Sequence, residues 1–253
     1  MKQVLGMIRR ADKDFSMIQP GDRIAVGVSG GKDSMLLLYA LACYRKFAPN
    51  PFELTALTIS MGLEPFDLSQ VHALCARLEV PYIVEETQIG KIVFEDRKEK
   101  NPCALCAKMR RGALAEACVR HGMNKLALGH HRDDALETLL LSMFYEGRLH
   151  TFHPVTFLER TGITQIRPMV YLSEKQALHW ARILNLPVVK SPCPVNGVTR
   201  REDMKRILDQ ICRVIPNARE QMLAALMRGD HGGLWQREEN AEKRAPVKPP
   251  EPF

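Results

Sequence analysis

Aromatic residues are scarce, at 6% of the chain, so no surface for stacking nucleic-acid bases can be assigned from sequence. No run approaches the roughly 18 consecutive apolar residues that a membrane span needs. The opening decapeptide, Met1-Lys2-Gln3-Val4-Leu5-Gly6-Met7-Ile8-Arg9-Arg10, lacks the sustained apolar stretch and small-residue cleavage site of a secretory signal. A cytoplasmic location with no membrane partner is therefore expected. Seven cysteines in such a compartment argue against a disulfide framework, and towards metal, cluster or redox use for any that cluster. There is no internal repeat. There is also no Walker loop, which needs four residues between its glycines and Ser or Thr after the lysine. Here three residues separate Gly27 from Gly31, and Asp33 follows Lys32.

What is present suffices for one large α/β domain, or one domain with a small appendage: 253 residues, 45% of them hydrophobic. A formal net charge of +7 suits a polyanionic partner. Strand-like and helix-like segments alternate. Ile24, Val26 and Val28 read as one face of a strand, Leu54 to Ile59 as a second strand, Pro81 to Glu85 as a third and Lys125 to Gly129 as a fourth. Helices are read at Met35 to Leu41, Leu68 to Glu79, Lys108 to His121 and Asp133 to Tyr145. Such alternation implies a mostly parallel sheet with helices on both faces, and ligands bind beyond the carboxyl ends of its strands. Residues 1–20 read as an N-terminal helix and 21–190 as the main domain. A helical segment is expected over 191–228, followed by a disordered tail over 229–253. Two capping boxes, Ser173 with Gln176 and Thr199 with Glu202, mark later helix starts.

Three strings carry chemistry. Ser29-Gly30-Gly31-Lys32-Asp33-Ser34 lies between a buried strand and an apolar helix, where backbone N–H groups and the helix dipole favour phosphate. Gly129-His130-His131-Arg132-Asp133-Asp134 lies at another strand end. Its two acids suit the first turn of a helix and, beside phosphates, could hold Mg²⁺. Cys103-Ala104-Leu105-Cys106 sits between the third strand and the next helix, presenting two thiols from one turn. Cys193 is the only other clustered candidate. Three thiolates suit a 4Fe–4S cluster with one open iron; zinc with His150 or His153, or three unrelated cysteines, stay open alternatives. Cys43, Cys75, Cys118 and Cys212 read as small buried hydrophobes. Basic runs at Arg97-Lys98-Glu99-Lys100, Lys108-Met109-Arg110-Arg111 and Arg200-Arg201, with Lys205-Arg206 a turn later, suit RNA phosphates. As plain solvated faces they would need no ligand.

Together the strings resemble the tRNA 2-thiocytidine synthetase family, the iron–sulfur branch of PP-loop enzymes that thiolate tRNA. Asp14-Phe15-Ser16-Met17-Ile18, Gly21-Asp22-Arg23 and Ile166-Arg167-Pro168-Met169 extend the likeness from about Ile8 to about Arg213. The resemblance implies a Rossmann-like PP-loop fold, with ATP, Mg²⁺ and a 4Fe–4S cluster. It also implies tRNA and a sulfur donor (sulfide or a cysteine desulfurase) as partners, and it is compatible with a homodimer. It assigns Ser29, Gly30, Gly31, Lys32, Asp33, Ser34, Gly129, His130 and Asp134 to nucleotide and metal. Lys32, Asp33 and Asp133 take catalytic roles, and Cys103, Cys106 and Cys193 hold the cluster. Two departures stand out. Asn196 occupies the position where the family commonly has a further cysteine, and Ser60-Met61-Gly62-Leu63-Glu64-Pro65 is short. Another PP-loop tRNA-modifying enzyme (a uridine thiolase or a lysidine-type amide ligase) with the cysteines structural or binding zinc, and a non-catalytic nucleotide-sensing or RNA-binding module, are the competing functions.

Overall fold

In the computed structural model, residues 1–63, 67–97, 102–189 and 200–228 are described. Cys193, Thr199, the Lys98-Glu99-Lys100 run, Glu64-Pro65 and the 229–253 tail lie outside them.

Strand β1 (Asp22–Gly27) forms the middle of a six-stranded sheet because both its faces are apolar. Ile24 and Val26 enter one buried cluster and Ala25 enters the other. Strand β1 pairs in parallel with β2 (Phe52–Ser60) on one side and β4 (Lys125–Ala127) on the other. Beyond β2 lies β3 (Tyr82–Glu86), also parallel; beyond β4 lies parallel β6 (Ile163–Ile166). Strand β5 (Val155–Leu158) closes that edge antiparallel to β6, giving the order β3-β2-β1-β4-β6-β5. The chain therefore leaves β1 in one direction and returns on its other side at β4. A crevice opens at such a reversal, outside the carboxyl ends of the strands.

One face carries α1 (Lys2–Phe15), α2 (Lys32–Tyr44), α3 (Ser69–Arg77) and α7 (Glu174–Ile183). Helix α2 is apolar all round because it is enclosed all round. Leu36, Leu37, Leu38 and Leu41 are fully buried, each contributing about 1.5–3 kcal/mol relative to exposure. Helix α1 buries Val4, Ile8 and Ala11, the stripe expected of a surface helix. Asp12 fastens it, accepting the Ile18 N–H at 2.9 Å and the Tyr44 hydroxyl at 2.8 Å.

The other face carries the short α4 (Ile89–Lys91), which runs into a π-helical turn (Ile92–Asp96), and the long α5 (Pro102–Arg120). Helix α6 (Arg132–Leu141), extended by a second π-helical turn (Ser142–Glu146), packs through Leu136 and Leu140 against Met204 and Leu208. Those last two belong to α8 (Arg200–Val214), beside α9 (Ala218–Arg228).

The structure corrects the sequence reading at two places. Helix α5 begins at Pro102, not Lys108, so the C-x-x-C pair stands on the helix itself and not between strand and helix. Proline suits a first helical position because its missing N–H would have no partner there anyway. The antiparallel β5 was not read at all: four half-exposed residues offer too short a pattern. The Ser173–Gln176 box does cap α7 as expected, each side chain meeting the other's backbone N–H. No helix among the described residues is long and apolar enough to cross a membrane.

Candidate active site

The ends of three strands, β1, β2 and β4, meet at the crevice. After β1, Gly30 turns the chain with φ +80°, a left-handed conformation that suits glycine, and Gly31 opens α2. No side chain caps α2. Its first backbone hydrogen bond in this turn runs from Met35 to Gly31, so the amides of Lys32, Asp33 and Ser34 precede the helical ladder. Ser34 braces the loop instead, its hydroxyl donating to the Gly31 carbonyl at 2.9 Å and accepting from the Ser29 N–H at 3.1 Å. A Cβ on Gly129, beyond β4, would lie 3.0 Å from backbone atoms of Asp33 and Ser34. The bare backbone there lets the β4 turn close against the first.

These turns enclose a cavity of about 330 Å³, lined by Ser29, Asp33, Ser34, Gly129, His130 and Asp134 together with Arg110 and Arg201. That volume falls within the roughly 300–1,000 Å³ of small-molecule sites. Asp33 Oδ1 and His130 Nδ1 are buried without any hydrogen-bond partner. Burying such atoms is costly unless something bonds them, and a ligand in the cavity would supply a partner to each. Burial pushes the His130 imidazole down to about 4; Asp134 opposes this, and Arg167 and Arg201 add to it. His130 is thus neutral at pH 7. Lys32 folds over Asp33 at 2.8 Å and lies 3.5 Å from Glu174, a short rearrangement from the open amides. Burial works against the Glu174 carboxylate, yet the Lys205 hydrogen bond and charge, with Lys32, hold it below its ordinary range. The open amides, the adjacent lysine and the glycine-lined floor fit a nucleotide's phosphates.

Asp133 and Asp134 part company. Asp134 faces the cavity, accepts the His131 N–H at 2.8 Å within a capping box and pairs with Arg201 at 2.9 Å. Asp133 is turned away from it. Its oxygens accept the Glu174 N–H and Arg219 Nε, each at 2.7 Å, so it ties α6 to the starts of α7 and α9. The crevice does not bring Asp133 together with the other expected residues. Arg110, Arg201 and Glu174 join them, although sequence placed the two arginines only in basic runs. Helical spacing was the missed signal: Arg110 is one turn beyond Cys106 and Leu114 one turn beyond Arg110, all on one stripe.

Along that stripe, Cys106 sits about 6 Å up the helix axis from Arg110. Its Sγ is buried, 3.7 Å from the Met61 sulfur just past β2, at the same end of the sheet. Cys103 stands half-buried one turn before it. Two thiols a turn apart, Cys106 itself one turn before the cavity-lining Arg110, fit thiolate ligation of a cluster. Among the described residues no group of three or more His, Cys, Asp and Glu is placed to hold a metal, and His150 and His153 line a separate apolar cavity beside Phe15 and Tyr171. Cys75 and Cys118 are buried in the apolar clusters, and burial raises their thiols to about 11 and about 12. Cys43 and Cys212 are only half-buried.

Residues 5–201 match the model of the PP-loop domain family. The tRNA-cytidine(32) 2-sulfurtransferase of Geobacter metallireducens is 39% identical over 228 residues, covering 89% of each chain. That of Pelobacter propionicus is 41% identical over 222 residues, covering 87% of this chain and 82% of its own. The chain belongs to this PP-loop sulfurtransferase family. A U34-tRNA thiolase, NcsA from Methanococcus maripaludis, solved with its [4Fe-4S] cluster, shares the fold: TM-score 0.73 and 24% identity, over 90% of this chain and 77% of that one.

Proposed function

We propose that this protein is an ATP-dependent tRNA sulfurtransferase acting on the C2 carbonyl of a cytidine, position 32 being the target named in its relatives. One observation carries the reading: an uncapped, glycine-floored helix start and the C-x-x-C pair open on the same end of one sheet. A ring carbonyl oxygen is a very poor leaving group. Its attack on the α-phosphorus of ATP breaks the α–β bond and expels pyrophosphate, leaving the oxygen adenylated. A sulfide equivalent from the donor then adds at C2, and AMP departs with that oxygen.

The amides of Lys32, Asp33 and Ser34, with the Lys32 ammonium, hold the triphosphate and offset charge as pyrophosphate leaves. Asp33, through its unpartnered Oδ1, and Asp134 are the carboxylates that would hold Mg²⁺ against those phosphates. Neutral His130 offers Nδ1 to the nucleotide without adding charge. Asp133 acts at a remove, fixing α6 and α7 so that Asp134 and Glu174 keep their places. Cys103, Cys106 and Cys193 are the residues that would hold a 4Fe–4S cluster, whose open iron would carry the sulfur.

The test is anaerobic incubation of the reconstituted protein with unmodified tRNA, ATP and labelled sulfide, followed by nucleoside mass spectrometry. We expect 2-thiocytidine with equimolar AMP and pyrophosphate, and loss of the thionucleoside but not of ATP binding in Cys106→Ser. Incorporation of lysine in place of sulfur, or a colourless zinc protein with full activity, would overturn the reading.

A further inference from the structure

Helix α5 separates two concavities. Consecutive helical residues point about 100° apart, so Arg110 faces the nucleotide cavity while Lys108 and Arg111 face an open groove of about 950 Å³ on the other side. The tip of the β5–β6 hairpin forms the far wall and bears Phe157, 61% exposed on the edge strand. Arg160, bonded to Glu116 at 2.8 Å, bridges hairpin and helix. Among the described residues Lys108 and Arg111 have no ion-pair partner. Arg167, at the end of β6, is buried without a carboxylate in reach; its guanidinium donates to the His153 carbonyl and Thr156 hydroxyl and lies over Phe152. Burial, and after it the charge of Arg111, lowers Arg167 to about 10. Of the groove's acids, Glu116 is taken by Arg160, leaving Glu159 against Lys108 and Arg111, so the wall carries net positive charge that an anion lying along the groove would meet. An exposed phenylalanine beside unpaired cations matches a single-stranded nucleic acid better than an acidic protein, because every base offers a face for stacking.

We propose that this groove seats the phosphodiester backbone of the RNA substrate, Lys108 and Arg111 meeting phosphates and Phe157 stacking an unpaired base. The inference rests on the tRNA-thiolation reading. It makes α5 a partition, with RNA on one flank, nucleotide on the other and the thiols at its start.

Equilibrium binding of unmodified tRNA to the anaerobic holoprotein over a KCl series tests it. The variants are Lys108→Ala/Arg111→Ala, Phe157→Ala and, as a charge-matched control, Lys46→Ala/Arg77→Ala, whose exposed side chains sit at the opposite end of the sheet. The double groove variant should bind tRNA at least about tenfold more weakly. Its log K against log[salt] slope should flatten by about 1.4–1.8, at roughly 0.7–0.9 per lost phosphate contact. Phe157→Ala should weaken binding about fivefold or more with the slope unchanged. All should bind a non-hydrolysable ATP analogue as wild type does, which rules out misfolding. Unchanged affinity and slope in the groove variants, an equal loss in the control, or loss of a protein partner's binding alone would overturn the groove assignment. Thionucleoside yield from wild type in the same samples judges the thiolation reading separately.

Discussion

Two helices start at adjacent strand ends facing the same cavity, and they treat their first amides in opposite ways. Helix α6 is closed by a reciprocal box in which His131 accepts the Asp134 N–H and Asp134 accepts the His131 N–H. Helix α2 begins at Gly31 with no side chain on its amides. A side-chain cap stabilises a helix start by about 1 kcal/mol relative to alanine and by roughly a few tenths relative to glycine, so Gly31 leaves the amides open at little cost. The contrast separates two uses of the same geometry. The α6 start fixes acids and an arginine in place, while the α2 start keeps donors for phosphate.

The largest expected effect comes from making the open start resemble the closed one. Gly31 has φ −74°, and a Cβ there would meet only the Ser29 hydroxyl at 3.5 Å, so Gly31→Asp fits sterically. Its carboxylate would cap α2 and repel a triphosphate. ATP affinity should drop on the order of a hundredfold, while the melting temperature moves little. Calorimetric titration with an ATP analogue and a thermal melt check both halves. Gly129→Ala disturbs the floor between the two starts. Its Cβ must displace backbone at Asp33 and Ser34, so nucleotide affinity should fall about tenfold or more and stability should fall as well.

Opening the closed start should cost stability first. Asp134→Ala removes half of the α6 box and the Arg201 pairing, and should destabilise by about 1 kcal/mol, or 2–4 °C for a chain of this size. Differential scanning calorimetry measures it. A pH-dependent effect lies one turn further along α6. Burial pushes the Glu137 carboxyl up from 4.5 to about 7; Asp134 and Glu174 add to this, and Arg201 and Lys205 oppose it. Between those values the folded chain keeps a proton that the unfolded chain has lost. This contribution is therefore fully present below about pH 4.5 and fades as pH rises through 7. Glu137→Gln should melt a few degrees above wild type at pH 8 and converge with it near pH 4.5.

The open start was legible in the sequence because its information is local: a glycine pair, a lysine and two serines between an alternating strand and an apolar helix. The Ser173–Gln176 box was legible for the same reason. What escaped depends on chain segments far apart. Asp133 and Asp134 are neighbours of identical chemistry, and only the arrival of Glu174 and Arg219 decides which one faces the cavity. Arg110 and Arg201 looked like parts of basic tracts; packing of α5 and α8 turned one residue of each tract inward. Strand β5 offered four residues and little alternation, so its pairing with β6 supplied what its pattern lacked.

The reversal of strand order also sets a clock during synthesis. The Ser29–Ser34 loop leaves the ribosome early, but its floor at Gly129 follows roughly 5–20 s later at ordinary elongation speeds. Until then the loop has nothing to close against, and a half-made chain has no enclosed cavity in which to retain ATP.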